Sequence, residues 1–249
     1  MSESVPLANP FRSAWELLAR NWILVVPSVV VGIVTGVALF VLGAYAPISL
    51  GGLNELNGAG PGVFVAFIGS IAALAVRMLG AIVSIACTTG MAAAAWERGR
   101  TTFADGGGAL RECGTQVFVA ILLLFIVGAL AAFLMDFTFY LTVLLYAIFA
   151  LYTIPGVIVG RRTAVDALVE SFRLAAKNFW TTFWLVLLVG VIASAGGIAG
   201  HFAWPIPALG DIFGLVVMEL AVAYATVLIV GEYVALRPSL EERPDITPQ

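Results

Sequence analysis

Side chains able to do chemistry are few enough in this chain to be weighed one at a time. Of 249 residues, 11% are charged, and there is one histidine. Arg77 is the most unusual. It lies inside the apolar run FVAFIGSIAALAVRMLGAIVSIA, where a cation at mid-span costs about 2.5–3.5 kcal/mol on insertion scales. Its natural partner is Glu219, inside the last apolar run. Counted from the outer ends of their segments, the two differ in depth by roughly 9–10 Å at 1.5 Å per residue. Helix tilt and the reach of arginine can close such a gap. The pair would then line a substrate or proton route, or lock two helices together. Glu232, near the inner end of the same run, is placed to accept from a basic surface helix.

The remaining candidates carry less. Cys87 and Cys113 fall in different segments without metal-ligand spacing and read as small buried thiols. His201 stands alone, which leaves a histidine metal cluster or a Ser-His-Asp arrangement without support. Asp105-Gly106-Gly107-Gly108 lacks the Lys-Ser/Thr of a phosphate-binding loop and reads as a flexible hinge. Asp136 and Asp211 suit hydrated outer turns. No catalytic set, metal set or cofactor motif emerges, so the expectation is a protein that is not an enzyme and holds no cofactor.

The elements that would position these residues are apolar. The chain is 61% hydrophobic, against about 45–50% in ordinary soluble domains, so a bilayer must serve as solvent. A net charge of −3 gives no basic face for nucleic acid. Hydropathy predicts six spans, at about 22–45, 62–96, 117–135, 137–160, 179–200 and 211–236, followed by a loose tail at 237–249. The fold class is therefore all-α: a polytopic membrane protein with amphipathic surface helices on one side.

Orientation follows from the cations. Arg12 and Arg20 precede the first span, and Arg98, Arg100 and Arg111 lie between the second and third. Arg161, Arg162, Arg173 and Lys177 lie between the fourth and fifth, and Arg237 and Arg243 follow the sixth. The three opposite loops hold no Lys or Arg. The positive-inside rule then predicts both termini in the cytoplasm, with the protein in the cell's inner membrane.

Residues 163–178 form the clearest surface helix. Val165, Leu168, Val169, Phe172, Ala175 and Ala176 share one face, and Asp166, Glu170, Arg173 and Lys177 the other. Arg161, Arg162, Arg173 and Lys177 make it a candidate contact for anionic lipid or a membrane-protein partner, each charge worth about 1 kcal/mol near an anionic leaflet. The segment SAWELLARNW echoes it before the first span. Aligning Arg20-Asn21-Trp22 with Lys177-Asn178-Phe179 also pairs Leu17 with Leu174 and Trp15 with Phe172. A degenerate middle copy ends near Gln116, with 109–116 as a weaker surface helix. Three repeated hairpins are the expected plan.

The run IPGVIVGRRTAVDALVESFRLAAKNFWTTFWLVLLVG resembles the later part of a broad prokaryotic group of six-helix membrane proteins. That group is related to the membrane domain of some glycerophosphoryl diester phosphodiesterases. The resemblance rests on Pro155, on Ala167-Leu168-Val169-Glu170-Ser171, and on Asn178-Phe179, while an acidic residue often found after the proline is absent. It implies a membrane module without the catalytic domain. Expected partners are membrane lipids or another membrane protein; the alternative is a permease built on Arg77 and Glu219.

Overall fold

The computed structural model describes residues 10–41, 61–138, 140–202 and 207–238. The expected outer loop at 46–60, part of the loop after His201, and the tail from 239 lie outside them. Asp136, His201 and Asp211 are described in backbone only. Among the described residues every regular element is helical. In chain order they are α1 (Pro10–Arg20), a 3-10 turn (Trp22–Val25), α2 (Val26–Val41), α3 (Pro61–Arg98) and α4 (Phe103–Phe133). After them come α5 (Met135–Thr138), α6 (Leu141–Ala150), α7 (Thr153–Ile158), α8 (Ala164–Lys177), α9 (Phe179–Phe202) and α10 (Pro207–Leu236).

Four stretches are long and apolar enough to cross a membrane: Ala72–Arg98, Phe103–Phe133, Leu141–Ile158 and Val216–Leu236. Two further pairs pass the same test but are sharply bent. α1 meets the following helix at 89°, and α8 meets α9 at 107°. Such bends are what a helix lying along a membrane surface needs before its chain turns into the bilayer.

α4 departs from expectation. It runs unbroken from Phe103, so the glycine triplet is helical and 109–116 is part of one long helix. Three consecutive glycines cost a helix roughly 1 kcal/mol each relative to alanine, yet the start is well fixed. The Asp105 carboxylate accepts from the Thr102 backbone N–H at 2.8 Å and from its hydroxyl at 2.9 Å. Arg98 donates to the same carboxylate at 2.5 Å. Gly106 is needed for close packing: a Cβ there would lie 3.1 Å from the Cys87 carbonyl oxygen and from Met91. Gly90 likewise faces Ala109 across the α3–α4 contact.

Burial concentrates at the end of the molecule that carries α1 and α8. One cluster joins Ala14, Leu18, Leu24, Met91, Ala95, Leu174, Val227 and Tyr233. A second joins Ile82, Ala86, Cys113, Val117, Val157 and Ala167. Outside these clusters large apolar side chains stay exposed, among them Phe125, Leu130, Trp180 and Val191. In water that would be a liability; against lipid tails it is the expected surface.

α8 corrects the sequence reading of its faces. Its buried side is Ala164, Ala167, Glu170, Ser171, Leu174 and Ala175. Val165, Val169 and Phe172, grouped on the apolar face, are exposed while Ala175 of the same group is buried, and Glu170, grouped on the polar face, is buried. Small residues let the bundle approach closely, with a Cβ on Gly156 only 3.1 Å from that of Ala167. The bulky apolar side is left for lipid.

Candidate functional site

The polar groups of the bundle gather where α7, α8, the start of α9 and the end of α10 converge. The first cause is Pro155. It has no N–H to give the carbonyl four residues back and its ring crowds that carbonyl, so the span 141–158 breaks at Leu151 and Tyr152. Ser171 of α8 bridges the break. Its Oγ donates to the Phe149 carbonyl at 2.6 Å and accepts from the Tyr152 N–H at 3.0 Å. Two backbone groups at the break are thus satisfied from a neighbouring helix, as a membrane interior requires.

Glu170 supplies the second tie. Its carboxylate accepts from the Tyr233 hydroxyl at 2.6 Å and from Arg162 Nε at 3.0 Å. The carboxylate is 10% exposed and its arginine 50%, so the pair has one foot in the protein and one in water. Gly160 makes room, since a Cβ there would stand 2.5 Å from the Tyr233 hydroxyl and from the Gly156 carbonyl. Below this, Tyr152 and Thr182 share a hydroxyl contact of 3.2 Å.

The two bends have a common construction. Asn21 has φ −123° and ψ 51°, and Asn178 has φ −120° and ψ 42°. In each, the backbone N–H and the side-chain Nδ2 both donate to the carbonyl four residues back. For Asn21 the acceptor is Leu17, at 3.0 and 2.9 Å; for Asn178 it is Leu174, at 2.9 and 3.1 Å. The amide caps the last carbonyls of one helix while the chain turns to begin the next. Asn21 does more. Its Nδ2 donates to the Gly99 carbonyl at 3.2 Å, and its Oδ1 accepts from the Thr101 N–H at 3.0 Å.

Several residues singled out in the sequence do not meet. No ion pair joins Arg77 to Glu219: Arg77 is exposed and Glu219 half-buried. The register reverses the sense of the offset expected from the segment ends without closing it. Trp96 of α3 packs on Gly231 and donates to the Val227 carbonyl at 2.8 Å, which fixes α3 against α10. Arg77 lies nineteen residues before Trp96, whereas Glu219 lies only twelve before Gly231. Seven residues of helix amount to about 10 Å in depth. Glu232 makes no ion pair with another described residue, and Arg162, just before α8, pairs with Glu170.

The basic set is also divided. Arg161, held at a left-handed φ of 53°, pairs with Glu112 across an exposed contact, and Arg162 pairs with Glu170. Arg173 and Lys177 are exposed. Glu97, Arg98, Asp105, Glu112 and Arg161 line a cleft of about 350 Å³ between α3, α4 and the end of α7. Among the described residues no three His, Cys, Asp or Glu side chains come together to hold a metal.

Sequence reasoning overlooked Glu170, Tyr233 and the reach of Asn21. A signal existed for the first: Ala164, Ala167, Ser171 and Leu174 make an i, i+3, i+7, i+10 stripe of mostly small residues, and Glu170 falls on it.

Fold and composition together define a class, an all-helical protein of multi-pass membrane type, with four helices among the described residues long and apolar enough to cross a membrane, or up to six if each bent pair is one span. No family model, curated protein or solved structure matches the chain.

Proposed function

We propose that the chain is a non-enzymatic integral membrane module whose working surface is the layer formed by α1 and α8, and whose ligand is membrane lipid. One observation carries this reading. Two helices are bent by 89° and 107° from the helices that follow and turn large apolar side chains outward. These are Phe11 and Trp15 on α1 and Val165, Val169 and Phe172 on α8. Exposed cations flank them: Arg12 and Arg20 on one, Arg173 and Lys177 on the other. An aromatic and aliphatic face bordered by cations is the pattern of a helix lying in the headgroup layer. Trp22, Trp180 and Trp184, all exposed, begin the following spans at the level where tryptophan collects.

On this reading each bent pair is one span, giving six, with both termini on the cytoplasmic side of the inner membrane. The matching asparagine torsions support two related units, each a surface helix followed by a hairpin. Relationship to the phosphodiesterase-associated membrane group belongs to the same proposal. A permease built on Arg77 and Glu219 would need the two to meet, and the exposure of Arg77 and the lack of an ion pair between them give it no support.

Nitroxide labels at Phe11, Val169 and Phe172, each replaced singly by cysteine in a protein lacking Cys87 and Cys113, test the reading in nanodiscs. The expected result is greater collision with oxygen than with a water-soluble nickel chelate, at the depth of the headgroup boundary. Labels fully accessible to the chelate would overturn it. For the topology, a reporter fused in the 46–60 loop should be external.

A further inference from the structure

The pairing of the arginines shows which of them are left to bind something else. Arg12, Arg98, Arg161 and Arg162 are taken by Glu16, Asp105, Glu112 and Glu170. Arg20 and Arg100 make no ion pair with another described residue, and both are exposed. They are far apart in sequence and adjacent in space. The Asn21 amide, 6% exposed, bonds to the Gly99 carbonyl and the Thr101 N–H, so it brackets Arg100 while standing next to Arg20. Beside them Trp22 is 71% exposed and opens the first span. Glu97, the nearest carboxylate in sequence, lines the α3–α4 cleft instead. Two arginines that make no ion pair with another described residue are thus brought to neighbouring backbone positions at the foot of a span by a buried, fully engaged amide, next to an exposed tryptophan.

We propose that Arg20 and Arg100 form a phosphate-binding doublet that takes the headgroup phosphate of an anionic membrane lipid. The inference rests on the lipid reading above and sharpens it by moving the contact. The sequence pointed to Arg161, Arg162, Arg173 and Lys177, but two of those four are occupied by carboxylates. Guanidinium suits the task, presenting paired donors to phosphate oxygens. The surface helix and the 99–101 link are both needed to build the doublet, so it exists only in the folded protein.

The test uses the full chain in detergent, titrated with phosphatidylglycerol, phosphatidylcholine or free glycerol 3-phosphate and read by native mass spectrometry. Wild type should retain phosphatidylglycerol over phosphatidylcholine. The double variant Arg20→Gln/Arg100→Gln should lose about thirtyfold of that preference, the scale expected for two cations at an anionic surface. Arg111→Gln, which removes an exposed cation outside the doublet, should keep it, and Arg20→Lys/Arg100→Lys should restore part of it. Competition by glycerol 3-phosphate would show that the phosphate itself is recognised; its absence would assign recognition to the lipid in place, and either outcome keeps the doublet. Unfolding midpoints establish that each variant is folded. A preference unchanged in the folded Arg20/Arg100 glutamine variant would overturn the doublet alone. Absence of any anionic preference in wild type would overturn the doublet, while the label depths at α1 and α8 would still decide the lipid reading.

Discussion

The two bent pairs share a hinge and differ in how their surface helix is held. In the register set by Asn21 and Asn178, Trp15 matches Phe172, and both are about half exposed, at 55% and 53%. Leu17 matches Leu174, and each gives its carbonyl to the asparagine amide. The match ends at the bundle. Where α8 has Ser171 and Glu170, α1 has Ala14 and Ser13. α8 is therefore bolted down by buried hydrogen bonds to Phe149, Tyr152 and Tyr233. α1 rests on the buried apolar residues Ala14 and Leu18, on an edge-on contact of Trp15 with Tyr224, and on a 3.2 Å bond from Tyr224 to the Phe11 carbonyl. What α1 lacks in bolts its hinge supplies, because Asn21 alone reaches across to the 99–101 link. One local device, the asparagine turn, thus serves two different attachments.

A large effect should come from removing the bolt. Glu170→Ala leaves the Tyr233 hydroxyl and Arg162 without their acceptor. Breaking a buried ionic contact costs about 3 kcal/mol, reduced where the arginine is half in water. Ser13→Ala, at the matching place on α1, should change stability by no more than about 0.5 kcal/mol. Denaturation midpoints in mixed micelles measure both. Equal midpoints for the two variants would mean that α8 is not held through Glu170.

Much of this architecture could be read from the sequence, and the gaps have a physical origin. Apolar length located α9 and α10 closely, and the motif Lys177-Asn178-Phe179 against Arg20-Asn21-Trp22 marked both hinges. Grouping α8 by polarity hid that Glu170 and Ala175 share its buried side, because periodicity reports where apolar residues are, not which solvent they meet. In a bilayer the bulky apolar side can face lipid and the small-residue side the protein. Depth counted from loop boundaries placed Arg77 about 10 Å nearer than Glu219 to the Trp96 end of the bundle, whereas the packing register places it about 10 Å further from that end. The true register is set by Trp96 on Gly231, a ring-on-glycine contact that hydropathy cannot see. The start of α4 was missed because three glycines outweighed the Thr102–Asp105 cap. Of the candidate site, Ser171 and Pro155 were in view as motif letters, but their joint task of repairing a broken helix needs the fold.

The two hinges should themselves be unequal. Asn21 makes three side-chain hydrogen bonds, two of them to the 99–101 link, whereas Asn178 makes one, to its own helix. At about 1 kcal/mol for each net bond, Asn21→Ala should cost about 3 kcal/mol and Asn178→Ala about 1 kcal/mol. Hydrogen exchange gives the sharper reading. The Thr101 amide, buried against Asn21, should lose protection in Asn21→Ala and keep it in Asn178→Ala. Retained protection in both would remove the clasp from the account of α1.

The smallest expected effect concerns the one ion pair α1 possesses. Arg12 and Glu16 stand one turn apart at 2.8 Å, with side chains 79% and 46% exposed. Exposed i, i+4 pairs contribute about 0.3–0.5 kcal/mol, and salt screens them further. Glu16→Gln should therefore leave the unfolding midpoint nearly unchanged at physiological salt. It should, however, release Arg12 beside Phe11 and Trp15, on the side of α1 that faces the headgroups in the proposed arrangement. If that arrangement holds, the variant gains anionic-lipid retention while its stability stays level. If α1 instead lies in water away from the bilayer, both quantities stay level. The ion pair that matters least for folding thus becomes a direct probe of where this helix sits, and so of the contrast between a bolted α8 and an apolar-held α1.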